Sequence, residues 1–165
     1  TNLIEQKRLV ASPDFVDKLL NGLRKQLVGT RYQPSEDAIQ TAVINWAKLV
    51  KYKDKTLSDY LHHSPNGGKR DKAQAGIFKA MGTKAGYPDL TLNIARHGYH
   101  AMFIEMKRDK DQVPSKVQIQ RMKMLEEEGN YCVVCKSFDH AVRELKWYMG
   151  IGLNSNRKLE CGVND

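Results

Sequence analysis

Cysteine is scarce in this chain: the three present, Cys132, Cys135 and Cys161, are an odd number spread over 165 residues. A disulfide framework is not expected, and with no apolar leader block at the N-terminus the reading is of a reducing, cytoplasmic protein. Long hydrophobic runs are lacking too. Nothing approaches the roughly 20 apolar residues of a membrane span, and no segment combines a cationic face with a bulky apolar one, so a membrane role is not expected. Acidic residues are in deficit, 19 Asp plus Glu against 27 Lys plus Arg, which leaves a formal net charge of +8. That balance favours a polyanionic partner, nucleic acid first, over an acidic small molecule. Hydrophobic residues are not in short supply: at 41% they argue against disorder, and 165 residues bury the core of one domain but hardly of two.

Helix signals open the chain. Ser12, Pro13 and Gly29 bracket a stripe of Val16, Leu19, Leu20, Leu23 and Leu27, predicting an amphipathic helix in an N-terminal extension over residues 1–33. A second helix is expected from Ser35, with Glu36 and Asp37 in its first turn and Ile39, Val43, Trp46 and Val50 on one face. Glu36 and Gln40, four residues apart, share the neighbouring face. From Lys51 to Lys84 the chain is basic and punctuated by glycine, and reads as a loop carrying one short helix around Ala73 to Met81. Two strands follow, Asp89 to Ile94 and Tyr99 to Lys107, joined as a hairpin by Arg96-His97-Gly98. Ser115 to Gly129 is a predicted helix with capping-box spacing from Ser115 to Gln118, leading into the strand Tyr131 to Cys135. A last helix runs from Ser137 to about Met149, and residues 151–165 have the composition of a frayed tail. The order implies an α/β domain, a small mixed β-sheet flanked by helices, over residues 34–150.

On the strand ending Ile104-Glu105-Met106-Lys107, residues two apart share a face, so Glu105 and Lys107 are neighbours while Ile104 and Met106 point away. Asp89 opens the preceding strand, after a proline that suits a strand start. If the two strands pair, Asp89 approaches Glu105. Two carboxylates beside a lysine form a hard-oxygen site of the kind Mg²⁺ accepts while keeping several waters. Such an ion makes water acidic enough to attack phosphorus, with the basic loop holding the phosphates.

Pro88-Asp89 followed by Glu105-Met106-Lys107 resembles the PD-(D/E)XK nuclease signature. Glu36 with Gln40, Pro65-Asn66-Gly67-Gly68-Lys69-Arg70, Lys79-Ala80-Met81-Gly82, Gly86-Tyr87-Pro88-Asp89-Leu90, Ser115 with Gln118, and Gly129 extend the likeness. In order and spacing they resemble the VRR-NUC family of phages, bacteria and a eukaryotic repair enzyme, over about Glu36 to Tyr148. The resemblance implies a restriction-endonuclease-like core and a metal-dependent DNA endonuclease using Mg²⁺ or Mn²⁺. It implies that Asp89, Glu105 and the main-chain carbonyl of Met106 bind the ion, with Glu36 holding it or its waters. Lys107 would position or deprotonate the attacking water or stabilise phosphate charge, and Gln118 would orient Lys107 or a phosphate. Asn66, Lys69, Arg70, Lys84 and Tyr87 would meet DNA. Stand-alone members resemble four-way (Holliday) junction resolvases and act as dimers, which implies a homodimer cutting branched or flap DNA in a bacterial or phage-infected cell.

Other patterns carry less. Cys132 and Cys135 have the spacing of a redox or zinc pair, but no second pair exists and residues three apart on a strand face opposite sides, so both read as buried apolar thiols. His62 and His63 diverge in the same way and are left out of the site. Neither Gly67-Gly68-Lys69 nor Gly82-Thr83-Lys84 completes a phosphate-loop pattern for nucleotide hydrolysis. Gln118 has a purely structural alternative as the closing residue of the capping box. A rival from another class is a nuclease-like module that binds DNA without cutting it.

Overall fold

The computed structural model describes residues 34–64, 72–109 and 111–152. The helix expected before residue 30, the expected DNA contacts Asn66, Lys69 and Arg70, and most of the expected tail lie outside them.

Helix α1 spans Glu36–Leu49 and starts as its sequence requires: the Ser35 hydroxyl accepts from the Ala38 N–H, and Glu36 and Asp37 complement the positive end of the helix. Ile39, Val43, Trp46 and Ala47 are its buried residues. Val50, expected on the helical stripe, is instead the C-cap with extended backbone. A two-stranded antiparallel ribbon follows, β1 (Lys51–Tyr52) and β2 (Lys55–Thr56), then a 3₁₀ turn over Leu57–Tyr60 and strand β3 (Leu61–His63). This corrects the reading of residues 51–84 as a loop with one helix. Leu57 and Leu61 are buried there, but β3 is three residues long with both histidines exposed, so no alternation announces it. The expected short helix is α2 (Lys72–Ala80).

Strands β4 (Leu90–Leu92) and β5 (Met102–Met106) pair antiparallel, as the predicted hairpin requires, and the Arg96–Tyr99 bridge closes its turn. Helix α3 (Lys116–Glu127) then carries the chain over to β6 (Tyr131–Cys135), which lies parallel to β5, as a strand joined through a helix can. Helix α4 (Phe138–Met149) ends at Gly150, whose φ of 68° suits a left-handed cap. The main sheet has the order β3-β4-β5-β6 and is flanked by helices, the mixed α/β architecture expected. Among the described residues no helix is long and apolar enough to cross a membrane.

The two faces of the sheet differ. Leu90, Leu92, Met102, Ile104 and Met106 join Val43, Trp46, Leu145 and Tyr148 of α1 and α4 in one apolar core. The opposite face carries Thr91, Phe103, Glu105 and Lys107, all buried. On that side α3 packs on β6, where the Cys132 thiol lies 3.6 Å from the Met122 carbonyl. Cys135 is buried as expected and Cys132 only half-buried, because β6 is covered less completely on the α3 side; burial pushes both thiols up to about 12, well above a reactive thiolate.

The Tyr148 hydroxyl donates to the Ile94 carbonyl at 2.8 Å and fastens α4 to the chain leaving β4. Tyr148→Phe is expected to lower the urea unfolding free energy by about 1 kcal/mol. An unchanged midpoint would show that this bond contributes nothing.

Candidate active site

Three segments converge where β4 begins and β5 ends. The first delivers Asp89. Gly86 has φ +71°, and a Cβ placed on it would stand 2.7 Å from the Val117 carbonyl carbon and 2.9 Å from the Gln118 nitrogen. Only glycine lets this loop lie on the first turn of α3. Tyr87 then meets Phe103 edge to face at 5.8 Å, and the buried Pro88 sets Asp89 just ahead of the strand. Asp89 is held from two sides: Oδ2 accepts from the Met106 N–H at 2.8 Å, and its carbonyl accepts from the Ser64 N–H at 2.9 Å.

The second segment is the end of β5. Glu105 is fully buried, yet a carboxylate in low dielectric is costly unless it is paired. Its Oε1 accepts from Lys107 Nζ at 2.5 Å and from Gln118 Nε2. Its Oε2 is buried with no partner among the described residues.

The third segment is the start of α3, where Gln118 does two jobs with one amide. Its Oε1 accepts from the Ser115 N–H at 2.8 Å, closing the capping box, while Nε2 donates to Glu105. The cap reading of Gln118 holds, and the side chain it bonds is Glu105, not the Lys107 that the family likeness implied.

The electrostatics follow from burial. Desolvation pushes the Glu105 carboxyl up to about 7; the Lys107 hydrogen bond opposes the shift and the charge of Asp89 adds to it. Asp89 is also raised, first by burial, with the Met106 N–H pulling the other way.

Glu36, Gly86, Tyr87, Asp89, Glu105, Lys107 and Gln118 line one open cleft of about 410 Å³. Glu36, Asp89, Glu105, Lys107 and Gln118, all expected at the reaction centre, thus line one cleft, and Tyr87, expected at the DNA, is with them; Met106, expected to offer its carbonyl, does not line it. Lys84 is exposed on the loop leading to Gly86 and is not part of the cleft lining. Two residues were missed. Arg108, exposed beside Lys107, lines an adjoining cleft with Ser35, Glu36, Asp37 and Gln112; its place directly after the acid-x-lysine run was the available signal. His63 was set aside, yet its Nδ1 lies 3.1 Å from the Asp89 carbonyl oxygen. Because β3 could not be read, its pairing with Leu90 could not be either.

The sequence model of the VRR-NUC domain matches residues 24–139. The chain belongs to the VRR-NUC family. A solved structure described as a VRR_NUC domain protein is 41% identical and superposes with a TM-score of 0.65, covering 73% of this chain and 93% of that one. None of the curated proteins matches the chain. The fold described above is therefore that of a VRR-NUC domain, as the sequence resemblance implied.

A raised carboxyl pKa means that the folded VRR-NUC domain holds this proton more tightly than the unfolded chain does. Between the ordinary value of 4.5 and about 7, Glu105 therefore costs stability as pH rises. Melting curves taken in chelator should show Glu105→Gln close to wild type at pH 5 and more stable than wild type at pH 8. Curves that run parallel across that range would contradict the assignment.

Proposed function

We propose that this VRR-NUC domain is a divalent-metal-dependent deoxyribonuclease that hydrolyses phosphodiester bonds at the Asp89–Glu105 cleft. The observation that carries the reading is Glu105 Oε2: a buried carboxylate oxygen with no hydrogen-bond partner among the described residues, on the cleft that Asp89 also lines. An unpaired oxygen of this kind is tolerated where a ligand completes it.

The donor set fits Mg²⁺ or Mn²⁺. Among the described residues no three His, Cys, Asp or Glu side chains form a complete cage. Two carboxylates completed by water and substrate phosphate are what Mg²⁺ uses in place of an all-protein cage. Asp89 Oδ1, Glu105 Oε2 and the Met106 carbonyl are the groups that would hold the ion, with Glu36 across the cleft for its waters. When bound, the ion supplies positive charge against a phosphate and an acidified water.

The chain's own groups do the remaining work. The Met106 N–H and the Gly86 loop fix the orientation of Asp89. Gln118 and Lys107 both load Glu105 Oε1, which leaves Oε2 as the oxygen free to act. The Lys107 ammonium, bonded to Glu105 Oε1, would orient the attacking water or balance the extra negative charge as the bridging P–O bond breaks. Exposed Lys84 and Arg108 flank the cleft and suit backbone phosphates. Selectivity for branched or four-way-junction DNA, and a homodimer to cut it, belong to the same reading on the strength of the family likeness.

Purified protein should nick plasmid or branched DNA with Mg²⁺ or Mn²⁺, and stop on chelation. Asp89→Ala should lose at least about 100-fold in rate, on the scale of removing a group that stabilises transition-state charge. A folded Asp89→Ala that cuts at the wild-type rate would sink the mechanism. A wild type that binds DNA but cuts no single strand, duplex, flap or junction would favour the non-catalytic module.

A further inference from the structure

Glu36 stands on the first turn of α1, before the first buried residue of that helix, Ile39. The apolar packing of α1 begins at Ile39, and Glu36 lines the cleft from the turn ahead of it. Gln40, one turn further on, lies 2.6 Å through Nε2 from Nδ1 of His63. The same ring nitrogen lies 3.1 Å from the carbonyl oxygen of Asp89. One imidazole nitrogen thus touches the helix that carries Glu36 and the residue that carries the site's first carboxylate.

We propose that His63 and Gln40 form a positioning pair that ties the helix bearing Glu36 to the strand bearing Asp89 and sets the spacing of those carboxylates across the cleft. This rests on the metal-dependent reading above.

The proton on Nδ1 decides how the tie is made. A protonated Nδ1 donates to the Asp89 carbonyl, and the Gln40 amide then turns its oxygen toward the ring, since its two ends are interchangeable by a flip. A bare Nδ1 can only accept from Gln40, and the link to Asp89 is lost. The tautomer with Nδ1–H is the one that joins all three. The tie lies at a strand end, where His63 is in register with Leu90 and Ser64 N–H already bonds the Asp89 carbonyl. The Asp89 main chain is therefore held from β3 while its side chain is held from β5. His63 is exposed and Gln40 half-buried, so the pair adds little to global stability, and its removal should leave the fold intact.

The test is Mn²⁺ calorimetry on His63→Ala, Gln40→Ala, the double variant and His63→Asn, with melting curves in chelator and steady-state kinetics beside it. Each alanine variant should weaken Mn²⁺ binding about 10-fold, in the range seen when groups that orient metal ligands are removed, with an unchanged melt. The double variant should be no worse than the weaker single, because both remove the same link. His63→Asn keeps an N–H near the place of Nδ1 and should restore most of the affinity. In kinetics kcat should fall while KM for DNA stays. Wild-type Mn²⁺ affinity in both single variants, additive losses in the double, or a lowered melt in chelator would overturn the pair. So would a rise in KM with metal affinity intact, which would make His63 a phosphate contact. If wild type itself binds no Mn²⁺, the metal-dependent reading fails and the pair with it. Wild-type binding with unaffected variants defeats the pair alone.

Discussion

The structure is organised around a carboxylate that ought not to be comfortable where it is. Glu105 sits fully buried in an interior strand, and among the described residues only one of its oxygens is matched. Leaving a buried acceptor unpaired costs about 1–3 kcal/mol, and more for a charged one. Lys107 and Gln118 offset part of that cost, both on the same oxygen. The other oxygen, Oε2, is left buried without a partner among the described residues.

The rest of the fold explains how that arrangement is held. Ile104 and Met106, on either side of Glu105 in sequence, are locked into the apolar core beneath α1 and α4. Their burial fixes the register that turns Phe103, Glu105 and Lys107 the other way. The parallel pairing of β5 with β6 needs a helical crossover, and the first turn of that helix is where Gln118 sits. The Gly86 loop rests on the same turn, so the element that presents Asp89 and the element that presents Gln118 are packed as one piece. Stability and site share their supports, with the core on one face of the sheet and the chemistry on the other.

Much of this was legible in the sequence because it is written in short-range periodicities. The alternation in Ile104-Glu105-Met106-Lys107, the Ser35 and Ser115 caps and the apolar stripe of α1 each depend on spacings of two to four residues. What escaped was set by pairing across long separations. Strand β3 has one buried residue in three and no pattern of its own; it exists because Leu61, His62 and His63 add an edge to β4. Without β3, His63 had no reason to be near Asp89, 26 residues away. Gln118 shows a different limit. Its helical position gave two readings that looked exclusive, and the amide resolves them by using its oxygen for the cap and its nitrogen for Glu105.

The central claim, that the carboxylates of Asp89 and Glu105 are completed by one divalent ion, is tested most directly by a crystal soaked in Mn²⁺ and measured for anomalous scattering. The account predicts a single strong peak in the cleft within bonding distance of both carboxylates. A cleft with no peak there, or an ion bound elsewhere on the chain while Glu105 keeps its Lys107 and Gln118 contacts alone, would contradict it.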